Sequence, residues 1–161
     1  MKRAITSAMA ISALAGGLLA GNVGTASAAR FDWMVKNTAT GKCLEGTPSF
    51  TVHAVTMVRC NAKSPYQRFA PVAGKLVLVF GSRDVGICVG VQGKPDGPYP
   101  REVVTVNCSD KNYDVRTVVS TSKNSPIGFG EAPCVLGHYG AADTFPSCYV
   151  REGNNTKWSL T

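Results

Sequence analysis

The chain has 161 residues, with 17 lysines and arginines against 10 aspartates and glutamates, which gives a formal net charge of +7. The basic residues are spread along the whole chain, which argues against a nucleic-acid or heparin stripe, because such a stripe needs clustered charge. The six cysteines are an even number and include no CxxC pair, so disulfides are favoured over zinc, and neither a metal nor a cofactor is expected.

Residues 1–29 are predicted to be a secretory signal peptide. MKR supplies a positive start, and AITSAMAISALAGGLLAG is apolar and rich in small residues. Ala26 and Ala28 have the spacing that a signal peptidase reads, which disfavours a retained membrane anchor. We therefore expect a secreted, extracellular protein in which residues 30–161 form a single domain.

The rest of the chain is predicted to consist of short β-strands. No window of a dozen residues has the apolar spacing of an amphipathic helix without Gly, Pro or β-branched interruptions, whereas β-branched runs recur about every ten residues. In chain order the runs are WMVKN, KCLEG, VTMVRC and QRFAPV, then KLVLVF, GICVGV, VVTVNC and VRTVVS, and finally PIGFG, APCVLG, PSCYV and TKWSL. They predict twelve strands in three sets of four.

The three sets are copies of one unit. The first cysteine of each copy stands in GKCLEG, GICVGV or APCVLG, in steps of 45 and 46 residues. The second cysteine ends VTMVRC, VVTVNC or TFPSC and is followed by QRF, RTV or TKW, each a polar residue two positions before an apolar one. A period in the 40s indicates an internal repeat.

A strand carrying Lys-Cys-Leu after a glycine, a strand ending in Cys-Asn and a strand with Gln-x-aromatic, in three ordered copies, resemble the ricin-B-type β-trefoil family. The resemblance extends from about Trp33 to Leu160, and NTATGKCLEG is its closest match. It implies an all-β β-trefoil with three four-stranded repeats, at about 31–74, 75–121 and 122–161. Six strands would form a barrel and six would form its hairpin cap, with one disulfide per repeat.

Within this scheme the repeat selects one disulfide pattern: Cys43–Cys60, Cys88–Cys108 and Cys134–Cys148. Two layers of inward-facing residues follow, one next to the first cysteines and one in the last strands. The first layer is Leu44, Val89 and Val135, and the second is Phe69, Val118 and Trp158. Gln67 is expected to satisfy backbone groups where repeats meet.

The resemblance also implies carbohydrate binding. The family's pocket has an Asp two residues after the first cysteine, an aromatic ring just before the second cysteine and an Asn before Gln-x-aromatic. In the first repeat Glu45 replaces the Asp and Val58 replaces the ring, so Glu45 and Gln67 form the candidate sugar pocket. The carboxylate position holds Gly90 in the second repeat and Leu136 in the third, which argues against pockets there.

Two loops are candidate docking surfaces for a protein partner. One is VQGKPDGPYPRE at residues 91–102, which three prolines stiffen, and the other is HYGAADTF at residues 138–145. Stiff loops lose little entropy on binding, and aromatic residues are good anchors. The candidate contact residues are Lys94, Tyr99, Arg101, His138, Tyr139 and Phe145.

No catalytic activity is expected, because the chain has no Gly-x-Ser-x-Gly motif and its two histidines lie in different repeats. The sequence instead predicts a recognition module. It would be a protein-docking adaptor subunit of a larger secreted assembly, such as a toxin or inter-microbial competition complex, with another secreted chain as its partner. The alternatives are a lectin that binds a cell-surface glycan and a β-trefoil protease inhibitor that uses residues 93–101. Neither nucleic-acid binding nor membrane insertion is expected.

Overall fold

A computed structural model describes residues 32–81, 83–92, 100–120, 122–130, 134–138, 140, 142–150 and 153–161. The predicted signal peptide lies outside these residues, and so do Lys94, Tyr99 and Tyr139 from the candidate docking loops.

The described residues form 14 strands and two short 3-10 helices. The first repeat has β1 Val35–Asn37, β2 Lys42–Glu45, β3 His53–Ala54, β4 Thr56–Arg59 and β5 Phe69–Val72. The second has β6 Lys75–Phe80, β7 Arg83–Gln92, β8 Arg101–Asn107, β9 Tyr113–Asp114 and β10 Thr117–Val119. The third has β11 Ser125–Phe129, β12 Cys134–Gly137, β13 Ser147–Tyr149 and β14 Lys157–Leu160, and the 3-10 helices span Pro65–Gln67 and Asn154–Thr156. Each of the twelve predicted runs overlaps one of these strands, and the short strands β3 and β9 are additions.

The strands pair antiparallel, and the last strand of each repeat pairs with the first strand of another. β5 pairs with β6, β10 pairs with β11, and β14 pairs with β1, so the third repeat closes on the first. Within the repeats β2 pairs with β4, β7 with β8, and β12 with β13, each as a hairpin. Three hairpins on a closed ring of inter-repeat pairs form a β-trefoil, as predicted.

One hydrophobic core is shared by all three repeats. Its largest fully buried members come from every repeat: Leu44, Phe69, Leu78, Ile87, Leu136 and Trp158. The indole Nε1 of Trp158 donates a hydrogen bond of 2.9 Å to the carbonyl of Leu136, which ties the closing strand to the third hairpin. Each such side chain contributes on the order of 1.5–3 kcal/mol on burial.

Two predicted inward positions are wrong by one residue. Val118 is 71% exposed, whereas Thr117 is buried. Thr117 lies nine residues after its cysteine, as Phe69 does in the first repeat, so Thr117 is the true equivalent. In the third repeat Val135 is only half-buried and Leu136 takes the core position.

Each repeat contains one disulfide, as predicted: Cys43–Cys60, Cys88–Cys108 and Cys134–Cys148. In the first two repeats the second cysteine follows the end of its strand, whereas Cys148 lies within β13 opposite Leu136. Cys60 and Cys108 come three residues after Met57 and Thr105, the partners of Leu44 and Val89, whereas Cys148 is itself the partner of Leu136. This change of register puts both cysteines of the third disulfide in the shared core. Within the described ranges, no helix is long and apolar enough to span a membrane.

Candidate functional site

The three hairpins place one residue each at an equivalent position, directly after the buried residue Leu44, Val89 or Leu136. These residues are Glu45, Gly90 and Gly137, whose partners across the hairpins are Thr56, Val104 and Ser147. The third-repeat equivalent of Glu45 is therefore Gly137, and the sequence-based assignment of Leu136 to the carboxylate position is wrong by one residue. The register of β12 explains the error, because Leu136 points into the core.

The first repeat has an open surface pocket at this position, with a volume of about 540 Å³. It is lined by Glu45, Val58, Arg59, Cys60, Asn61, Ser64 and Gln67. The pocket brings together both residues of the predicted sugar site. Its wall is mostly polar, and none of the described residues that line it is aromatic.

The side chain of Gln67 stabilises this pocket through hydrogen bonds. This side chain is only 2% exposed. The side-chain Nε2 donates to Glu45 Oε2 at 3.1 Å and to the carbonyl of Arg59 at 3.2 Å, while Oε1 accepts from the backbone N–H of Asn61 at 2.8 Å. Gln67 thus satisfies backbone groups, and it also orients the Glu45 carboxylate. Within the described part of the chain, that contact leaves Oε1 of Glu45 available to a ligand.

Tyr66 occupies the place of the expected Asn but does not line the pocket. Its side chain is 43% exposed, and its ring packs against Phe80 with centroids 5.6 Å apart and planes tilted by 44°. With Val58 in the place of the stacking ring, the pocket offers a carboxylate and little apolar surface to a sugar face.

In the second repeat the equivalent space is filled by the protein itself. A Cβ atom at Gly90 would lie 3.0 Å from Val115 Cγ1 and 3.3 Å from Val106 Cγ1. Both valines belong to a small apolar cluster that also contains Cys88. A carboxylate has no room in this position.

The third repeat is filled in a different way, by an aromatic ring. A Cβ atom at Gly137 would lie 2.7 Å from Tyr149 Cδ2 and 3.2 Å from Thr156 Cγ2. The ring of Tyr149 therefore lies across Gly137, where the first repeat has the side chain of Glu45. Of the three equivalent positions, the first alone combines an open pocket with a carboxylate.

His138 was a candidate docking residue, and this prediction is wrong. The residue is fully buried, with Nδ1 2.9 Å from Thr40 Oγ1 and Nε2 2.9 Å from the carbonyl oxygen of Asp143. Its backbone N–H also donates to the carbonyl of Asn155. His138 joins the first repeat to the third, and its role is structural.

The other candidate docking residues have different surroundings. Arg101 is also buried, and its Nη1 donates to the carbonyl of Gln92 at 2.9 Å, so its side chain does not form a docking surface. Phe145 is 55% exposed, as a docking residue would be. In the described ranges no three His, Cys, Asp or Glu residues form a group that could hold a metal ion.

Solved structures share this fold. The designed three-fold symmetric protein ThreeFoil is 16% identical, with a TM-score of 0.59 over 80% of this chain and 96% of its own. A ricin B-like lectin from Macrolepiota procera, in complex with lactose, is 14% identical, with a TM-score of 0.58 over 81% of this chain and 94% of its own. The mdaA-1 domain is 13% identical, with a TM-score of 0.62 over 81% and 89%.

These similarities, at 13–16% identity, define the class of the protein at the level of fold, which is a β-trefoil. No protein-family model and no curated protein sequence matches the chain.

Proposed function

We propose that the chain is a secreted, non-catalytic recognition module that binds another secreted protein, as the adaptor subunit of a larger assembly. The observation that supports this most is the filling of two of the three pocket positions by the chain's own side chains. Val115 fills the second and Tyr149 fills the third. The scaffold of a sugar-binding trefoil is kept while its multivalent sugar sites are lost.

Exposed apolar side chains support a protein as the partner. Phe50 is 68% exposed, Tyr66 43% and Phe80 37%, and the rings of Tyr66 and Phe80 are in contact. Exposed apolar groups that lie together are typical of sites that another protein covers. The three disulfides suit an extracellular assembly, because such bonds persist in oxidising compartments.

The positions of the two histidines support a role without catalysis. His53 Nε2 lies 2.9 Å from Thr51 Oγ1, and His138 is buried between Thr40 and Asp143. The two side chains are in different repeats, and neither lines the first-repeat pocket. The ring nitrogens that make these contacts are occupied by groups of the chain itself, which supports a structural role for both histidines.

The second candidate function is that of a monovalent lectin, and the pocket at Glu45 favours it. The Macrolepiota procera neighbour was solved with lactose, and a carboxylate braced by an amide can accept hydrogen bonds from two hydroxyls. Without a stacking ring such a site gains little over water. The protease-inhibitor alternative depends on residues 93–101, most of which lie outside the described residues, and it stays a prediction.

One experiment separates docking from sugar binding. The tagged chain is recovered from the source culture supernatant and its particle mass is measured, and the same preparation is applied to a glycan array. We expect a complex of fixed stoichiometry and a blank array. Two results together would contradict the proposal. The first is a particle mass equal to that of the chain alone, and the second is a strong glycan signal that is lost in Glu45→Gln but kept in the exposed control Glu102→Gln.

A further inference from the structure

Three exposed aromatic side chains lie where the first repeat meets the second. Phe50 is 68% exposed, Tyr66 43%, and Phe80 37%. The rings of Tyr66 and Phe80 are in contact. Phe50 Cε1 lies 3.8 Å from the position that a Cβ atom would take at Gly86 in β7. Gly86 is three residues beyond Arg83, and Arg83 pairs with Phe80 across the β6–β7 hairpin. We call these three residues the aromatic face.

The aromatic face is an outward continuation of the core. Leu76 and Leu78 alternate along β6 and are fully buried, and Phe80 is the next residue with the same orientation. At this end of the barrel a Cβ atom at Gly46 would lie 3.4 Å from Leu78 Cδ1, and the backbone N–H of Gly46 donates to the carbonyl of Tyr66. Beyond that point no described element covers the row formed by Leu76, Leu78 and Phe80, so the row ends on the surface at Phe80.

The position of Tyr66 is fixed before any partner arrives. Tyr66 lies in the 3-10 helix Pro65–Gln67. Ser64, the N-cap residue of this helix, accepts a hydrogen bond from the Tyr66 N–H. The next residue, Gln67, is buried and hydrogen-bonded on both ends of its amide. An anchor that is already held loses less conformational entropy when a partner binds.

Three basic residues stand next to the residues of the aromatic face, along the chain or across a hairpin. Arg83 is exposed and stands opposite Phe80 across the β6–β7 hairpin. Lys63 and Arg68 stand on either side of the helix that carries Tyr66. The carboxylates of the same segments are Asp84, which accepts from the Gly86 N–H, and Glu45, which accepts from Gln67, so three basic groups stand against two acidic ones. The rim is therefore positively charged.

We infer that the aromatic face is the docking surface of this chain, and that its occupant is a different protein that presents acidic residues around an apolar patch. The inference rests on the proposed docking function and gives it a place and a partner chemistry. Charge complementarity selects the partner, because a second copy of the chain would bring an identical basic rim to the contact, and like charges repel. This surface differs from both loops that the sequence indicates.

Site-specific photo-cross-linking tests the inference on the full secreted chain. Benzoylphenylalanine replaces Tyr66 or Phe80 in two variants, and replaces the exposed residues Val118 or Phe145 in two matched controls. Each variant is irradiated in the source culture supernatant. We expect one acidic protein to be cross-linked from positions 66 and 80, and neither control position to give it.

The recovered protein is then titrated against Phe80→Ser, Arg83→Glu and the control Val118→Ser. Each aromatic-face variant should weaken binding roughly tenfold or more, and the control should not. Arg83→Glu leaves all three aromatic rings in place, so it tests the charge even if Phe80→Ser disturbs the hairpin. Binding should also weaken as salt rises from about 0.05 to 0.5 M, since exposed charges are then screened.

The outcomes are distinct for the surface and for the function. Cross-linking from position 118 or 145 alone overturns the surface and leaves the docking function intact. A cross-link to a second copy of the chain, or unchanged binding by Arg83→Glu, overturns the acidic partner. If none of the four positions cross-links and no complex is recovered, the docking function and the surface both fail.

Discussion

Gln67 serves the fold and the first-repeat pocket at the same time. It accepts from the backbone N–H of Asn61 and donates to the carbonyl of Arg59, and both contacts are largely shielded from water. Gln67→Ala leaves these groups without a partner, which should lower the free energy of unfolding by about 1–3 kcal/mol. Urea unfolding followed by tryptophan fluorescence measures the loss.

Glu45→Gln is the matched comparison for this prediction. Glu45 is only half-buried, and an amide there can still accept a hydrogen bond from Gln67 Nε2. We expect it to change stability by less than ~0.5 kcal/mol, as surface substitutions usually do. If Gln67→Ala were as stable as the parent chain, the bracing of the pocket by Gln67 would be wrong.

At the scale of one element, the ring of Tyr149 packs over Gly137 in the hairpin of β12 and β13. Gly137→Ala places a methyl group 2.7 Å from Tyr149 Cδ2, which should destabilise the chain by about 1–3 kcal/mol. Tyr149→Ala removes the obstacle, so Gly137→Ala made in that background should cost much less. A double-mutant cycle from thermal or urea unfolding measures the coupling. Equal costs in both backgrounds would show that the ring does not fill this position.

The strands and their order could be predicted from sequence, because β-branched runs and the cysteine repeat give independent signals. The faces of the strands could not always be predicted, since a shift of one residue exchanges the two faces. Val118 and Val135 were placed inward for that reason, by aligning each repeat on its cysteines without allowing for offsets of one residue. The signal that could have found Thr117 was its spacing from Cys108, which matches that of Phe69 from Cys60.

The candidate site was only partly predictable. Glu45 and Gln67 were found because each stands at a fixed offset from a repeat cysteine, and they do line one pocket. The burial of His138 depends on Thr40, 98 residues away, and no local pattern shows such a contact. The aromatic face was missed for the same reason, because Tyr66 and Phe80 meet only through the pairing of strands.

At the scale of the whole molecule, the three disulfides are similar in loop length but different in surroundings. The paired cysteines are separated by 17, 20 and 14 residues in chain order. Loop-closure entropy favours the 20-residue loop over the 14-residue loop by only roughly 0.3 kcal/mol. Packing should therefore decide which disulfide matters most.

Both Cys134 and Cys148 are buried in the core that the three repeats share, whereas Cys60 and Cys108 are half-buried at the surface. Replacing the third pair by alanines removes a cross-link and also leaves space among well-packed side chains. We expect the double variant C134A/C148A to lose about 1–2 kcal/mol more than C43A/C60A, although its loop is shorter. Urea unfolding of the three double variants, each compared with the parent chain, measures the order. If the losses followed loop length instead, with C88A/C108A the least stable, the third disulfide would act as a simple cross-link and the register change that buries it would contribute nothing to the core.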